Sequence, residues 1–184
     1  IVCREDGSRV ARKYADTRLA RPHIEHMNEV YGLLQKEFAG SRLCANRANL
    51  TDAYIEFEYI DGDTLETVLD ACLANDDKDG FAELVKQYAS EIRQVYLSEQ
   101  SVCGERSQDE IEQYQKAFGE ITLPVSVPFS KGVDIDLIFS NIMVQGNTWI
   151  VIDYEWTFDF PVPVDFLLWR AGKVYLENYA NRAS

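Results

Sequence analysis

Two apolar runs on either side of a tight-turn signal, with polar side chains fixed at their ends, constrain this chain more than any other feature. The stretch reads Asp134-Ile-Asp136-Leu-Ile-Phe-Ser-Asn141-Ile-Met-Val and continues, past Gly146-Asn147, into Trp149-Ile-Val-Ile-Asp153-Tyr-Glu155. The spacing predicts a β-hairpin, with strands at Ile142–Val144 and Thr148–Tyr154, because Gly146-Asn147 supplies the backbone freedom a short hairpin turn requires. Asn141 then stands at the entrance of the hairpin and Asp153 at its exit. Asp136 lies five positions before Asn141 and seventeen before Asp153. A loop, a hairpin and a second loop can bring all three side chains into one cleft.

Those residue types suit phosphoryl transfer. One carboxylate orients or deprotonates an attacking hydroxyl, while an amide oxygen and a second carboxylate hold Mg²⁺ against the phosphates. The segment resembles the protein-kinase-like superfamily, in the branch of aminoglycoside phosphotransferases and choline kinases. There the loop reads HxDxxxxN and the metal strand ends in IDxE or IDxG. The resemblance implies that Asp136 is the catalytic Asp, with Asn141 and Asp153 as the metal ligands and ATP and Mg²⁺ as the cofactors. Asp134 stands where the family has His, which is chiefly a scaffold residue. Glu155 could approach the metal or face solvent.

The resemblance extends upstream. Ile1–Ala15 reads as a β-hairpin turning at Glu5-Asp6-Gly7-Ser8, with Val10, Arg12 and Tyr14 on one face and Ala11 and Lys13 on the other. Val10-Ala11-Arg12-Lys13 is similar to the family's VAIK strand, whose Lys holds the α- and β-phosphates. A helix is predicted from Pro22 to about Phe38, with Ile24, Met27, Tyr31, Leu34 and Phe38 as its apolar face and Gly40 as its stop. It carries Glu29, the expected partner of Lys13, with Glu25 one turn earlier as the rival. Strands are expected near Leu43–Asn46 and Tyr54–Tyr59. Glu56-Phe57-Glu58-Tyr59-Ile60-Asp61-Gly62 resembles the hinge between kinase lobes. By that match Phe57 lies at the back of a nucleotide pocket, with the Glu58 carbonyl and the Ile60 amide facing the base.

Beyond the hinge, Thr64 is placed to cap a helix over Leu65–Leu73, Asn75–Gly80 reads as an acidic loop, and Phe81–Leu97 and Gln108–Phe118 read as helices. Leu123–Lys131, with two prolines, is expected to be irregular or edge-like. Val164–Tyr179 is the final helix, with Asp165 as its cap and a brace for the catalytic loop. His23 and His26 read as a helix-surface pair. Tyr154, Trp156, Phe158 and Phe160 read as packing, with a substrate-lining role as the alternative. The expected fold is α+β and two-lobed: a small lobe over 1–60, and a mostly helical lobe over 61–184 that holds catalytic loop 134–141 and metal strand 148–155.

Composition sets the remaining bounds. A net charge of −13 argues against a nucleic-acid-binding surface, which needs clustered Lys and Arg. No apolar run reaches the ~20 residues of a membrane span. Cys3, Cys44, Cys72 and Cys103 form no CxxC pair, so four reduced thiols in a cytoplasmic protein are expected. The chain starts at Ile1 with no glycine-rich phosphate loop before its first hairpin, which reads as a fragment of a longer protein. Only twelve residues separate Asp153 from Asp165, so an acceptor docked on a long activation loop is disfavoured, and a small molecule or glycan is favoured. A weaker resemblance points to kinase-like modules fused to methyltransferases or glycosyltransferases of bacterial surface-polysaccharide synthesis. On that basis a fused or associated transferase domain is an expected partner, and a module without catalysis is the alternative.

Overall fold

The computed structural model describes residues 1–97, 102–103, 106–121 and 127–182. The fold is α+β. Strands β1 (Val2–Cys3) and β2 (Arg9–Tyr14) form the first hairpin, closed by Gly7 at φ +84°. Helix α1 (Arg21–Glu37) follows, started by a Pro in its first turn, where a missing N–H costs nothing. It buries Ile24, Met27, Val30 and Leu34. Tyr31, expected on that face, is half-buried at its edge, and Val30 takes its place.

Strands β3 (Leu43–Ala45), β4 (Ala48–Leu50) and β5 (Tyr54–Glu58) come next. The antiparallel sheet runs β1-β2-β5-β4, with Ala11 opposite Phe57 and Lys13 opposite Ile55. The three-residue β4 has no alternating apolar pattern to announce it.

Thr64 caps α2 (Leu65–Ala74) by accepting from Thr67 N–H. Helix α3 (Lys78–Tyr96) begins three residues earlier than expected. Asp77 accepts from Gly80 N–H, so Lys78–Gly80 form a capped first turn rather than the end of a loop. Strand β6 (Val102–Cys103) precedes α4 (Gln108–Phe118), which Ser107 and Glu110 start with a reciprocal capping box. Strand β7 (Phe129–Ser130) lies between β6 and a later strand at Val162–Pro163, so this end of the stretch is the middle strand of a three-stranded sheet rather than irregular or an edge; residues 122–126 of that stretch lie outside the described residues.

Strand β8 (Val133–Asp134) leads through a 3₁₀ turn at Phe139–Asn141 into the hairpin β9 (Ile142–Gln145) and β10 (Thr148–Val151). Strand β10 ends three residues sooner than expected, because the chain turns through Asp153 at φ +57°. Strands β11 (Thr157–Phe158), paired with β8, and β12 (Val162–Pro163) precede α5 (Val164–Arg182).

Strand β3 pairs in parallel with β10, in the order β3-β10-β9. One strand of the first sixty residues is thus built into the sheet that carries the Asp153 segment. A single hydrophobic cluster runs from Ile24, Leu34 and Ile55 through Leu65, Tyr88 and Ile92 to Leu137, Trp149, Val151 and Leu167. No helix among the described residues is long and apolar enough to cross a membrane. Cys3, Cys44 and Cys72 are free thiols; the side chain of Cys103 lies outside the described residues.

Candidate active site

A cleft of about 310 Å³ opens between the sheet of β2 and β5 and the end of the β9–β10 hairpin. Strand period puts Ala11 and Lys13 on the same side of β2, and both line it. Phe57, Glu58, Tyr59 and Ile60, the end of β5 and its continuation, form a second wall. Met143, Ile152 and Asp153 close it from the opposite side. Its volume is at the lower end of what small-molecule sites enclose.

The β5 end is pinned on both sides. Glu58 N–H donates to Arg47 O at 3.2 Å, and Asn46 Nδ2 donates to Glu58 O at 2.9 Å. That carbonyl keeps one lone pair for a ligand. Ile60 N–H is engaged by no other group among the described residues. Beyond it, Val144 N–H donates to Asp63 O at 2.9 Å and ties the crossing chain to β9.

Lys13 meets a partner other than the expected one. Its ammonium is ion-paired with Asp153 and, at 2.8 Å, with Glu155 Oε2. Partial burial alone would lower the Lys13 pKa; hydrogen bonds to Asp153 and Glu155 outweigh it, and the net shift is upward. Glu29 is exposed and forms no ion pair among the described residues, so the expected Lys13–Glu29 pair is absent. The reason is helical phase. At about 100° per residue, Glu29 lies about 140° from the buried Ile24 and opposite Met27. Glu25 pairs with Arg21 at 2.6 Å. What α1 brings to the site is His23, whose Nε2 is 3.4 Å from Glu155 Oε2.

Asp136, Asn141 and Asp153 are linked through short bonds. Asn141 Nδ2 donates to the Asp136 carbonyl at 3.0 Å and lies 3.4 Å from its Oδ2. Ile152 N–H donates to Asn141 O at 2.9 Å, which sets the residue before Asp153 against the loop. With its Nδ2 so used, Asn141 has its amide oxygen left for a cation. Asp153 sits in the left-handed region, where non-glycine residues are strained and which recurs at functional sites. A carboxylate and an amide oxygen are hard donors of the kind Mg²⁺ takes in small number, completing its shell with water and phosphate oxygens. The described residues hold no cluster of three or more His, Cys, Asp or Glu that would form an all-protein cage.

Sequence reasoning missed Arg170, on α5. Its Nη2 is 2.5 Å from Asp136 Oδ1 and its Nε donates to Ile135 O at 2.9 Å. A signal existed: Arg170 falls three residues after the buried Leu167, a neighbour on the helix surface, and a cation beside an apolar stripe needs a partner. Asp165, expected to brace the loop, lies inside the first turn of α5, exposed, 3.9 Å from Arg93. Arg170 makes the brace instead. Tyr154 is buried and donates to Asn46 O at 2.8 Å, while Phe158 and Phe160 pack on each other and on Phe118; Trp156 is exposed.

No protein-family model matches this chain, and no curated protein matches it with significance.

Proposed function

We propose that this chain is the kinase-like, two-lobed core of an ATP- and Mg²⁺-dependent phosphotransferase acting on a hydroxyl of a small molecule or glycan. The observation that carries this reading is the shared cleft. Lys13, the Phe57–Ile60 segment and Asp153 come from three separate parts of the chain and line one cavity. The Ile60 N–H and the remaining Glu58 lone pair are a donor and an acceptor for the edge of a base. Lys13 is the cation for the phosphates, with Glu155 rather than Glu29 to hold it. Asp153 and the Asn141 amide oxygen would hold Mg²⁺, which when bound offsets the charge on the phosphates. Asp136 orients the acceptor hydroxyl and takes its proton as the oxygen bonds to the γ-phosphorus and the bond to the β–γ bridging oxygen breaks, releasing ADP. Positioning and fixed charge supply most of the rate.

A second reading has its own support. Asp136 is paired with Arg170, and Lys13 is paired with two carboxylates. Groups so neutralised within the chain suit a nucleotide-binding or scaffolding module without catalysis, attached to a larger methyltransferase or glycosyltransferase of polysaccharide synthesis in the cytoplasm.

Turnover separates the two. ATP consumption measured by ³¹P NMR with a panel of sugars and amino alcohols is expected to require Mg²⁺ and to fall at least about a thousandfold in Asp136→Asn and Asp153→Asn. Equal turnover in both variants and the native chain rejects the phosphotransferase. Nucleotide binding without turnover favours the module.

A further inference from the structure

We propose that Asp134 is the positioning residue of this loop and works as a neutral carboxylic acid, holding Asp136 through the bond that its Oδ1 accepts from the Asp136 N–H. This rests on the phosphotransferase reading above. Asp134 is fully buried, and the bond from Asp136 N–H is 3.0 Å long. Its other oxygen, Oδ2, has no hydrogen-bond partner. The nearby cation, Arg170, is committed to Ile135 O and Asp136 Oδ1. A carboxylate shut away from water with one hydrogen bond and no cation of its own is far costlier than the protonated acid. Asp136 and Asp153, the carboxylates that act on it, oppose charge further, and the other titratable groups facing it are the phenols Tyr88 and Tyr96 on α3 and Tyr154 just past β10. Burial first, then Asp136 and Asp153, push the Asp134 pKa up to about 8 against the Asp136 N–H and Arg170.

The consequence is a loop that keeps its geometry while Asp134 is protonated and loses it on ionisation, when a second negative charge appears behind Asp136. Among the groups around it, the Lys13 pKa is raised above 10.5, and burial raises Tyr88, Tyr96 and Tyr154 above 10.0.

The test compares the intact chain with Asp134→Asn, a neutral side chain of the same shape that keeps the accepting oxygen. In the native protein kcat is expected to fall about tenfold or more between pH 7 and pH 9.5 with the KM for ATP little changed, and in Asp134→Asn that alkaline limb is expected to vanish. The same limb in both proteins overturns the proposal. A second measurement needs neither activity nor a folded variant. In the native protein, the ¹³C shift of the Asp134 carboxyl and the amide shift of Asp136 are expected to titrate together near pH 8. A carboxyl already ionised at pH 6 overturns the proposal. Absence of turnover at every pH would count against the phosphotransferase and leave the shift titration to decide Asp134.

Discussion

Lys13 on β2 is ion-paired with Asp153, 140 residues later in the chain, and this contact joins the two walls of the cleft. Glu155 holds the same ammonium from the Asp153 side, so both carboxylates that meet Lys13 come from one short segment. In the proposed enzyme, this cluster is the resting form of the phosphate site, and nucleotide phosphates displace the carboxylates from Lys13.

Lys13→Met is expected to cut kcat/KM for ATP about a hundredfold or more, since a cation aimed at transferring phosphates acts mainly in the transition state. The cluster is partly open to water, so thermal unfolding should move little, within the ~1 kcal/mol typical of exposed pairs. Glu155→Gln is expected to lower kcat/KM about tenfold, while Glu29→Gln leaves it unchanged. Steady-state kinetics on the three variants, with melting curves, check this; a large loss in Glu29→Gln with none in Glu155→Gln would restore the pairing expected from sequence.

Arg170 fixes Asp136 from α5. In the proposed enzyme, Arg170→Met is expected to lower kcat ten- to a hundredfold at nearly constant KM for ATP, because it would loosen the group assigned to orient the acceptor and leave the cleft lined by Lys13 and Phe57–Ile60 intact. A rise in the KM for ATP with kcat unchanged would place Arg170 in nucleotide binding instead.

Much of this arrangement was legible in the sequence, and the misses have physical reasons. Gln108–Phe118 and the Thr64 cap follow from short-range rules, since a side-chain oxygen and a nearby N–H are all a helix start needs. Asp136, Asn141 and Asp153 could be picked out because fixed polar residues stand at the edges of apolar runs. Glu29 failed because spacing along a chain does not give direction around a helix; the phase of Ile24, Met27, Val30 and Leu34 already pointed it outward. The pairing of β3 with β10 could not be read, since it joins residues over a hundred positions apart and depends on how the whole core closes. Asp134 was legible as a departure from the family pattern, but its lack of a partner is a property of the packed interior.

Stability at low pH has a separate, local source. Lys131, first, and the Ser107 N–H hold Glu110 down to about 2 against desolvation. A folded-state pKa below the ordinary 4.5 means stability that is present above about pH 4.5 and lost as pH falls toward 2. Melting curves from pH 6 to pH 2 are therefore expected to fall more steeply for the native chain than for Glu110→Gln. Parallel curves would show that the α4 capping box and its Lys131 pair do not couple to protonation.

The most direct measurement is calorimetric titration of ATP into the intact chain, in Mg²⁺ and again in EDTA. Binding is expected at one site, tighter by tenfold or more with Mg²⁺, and Asp153→Asn should remove that metal dependence while retaining weak binding of the base. A matching thermal shift should accompany it, approaching about 2.7 kcal/mol of stabilisation at a hundred times Kd. No binding, or the same affinity in Mg²⁺, in EDTA and in Asp153→Asn, would contradict a Mg²⁺–nucleotide site between Lys13 and Asp153.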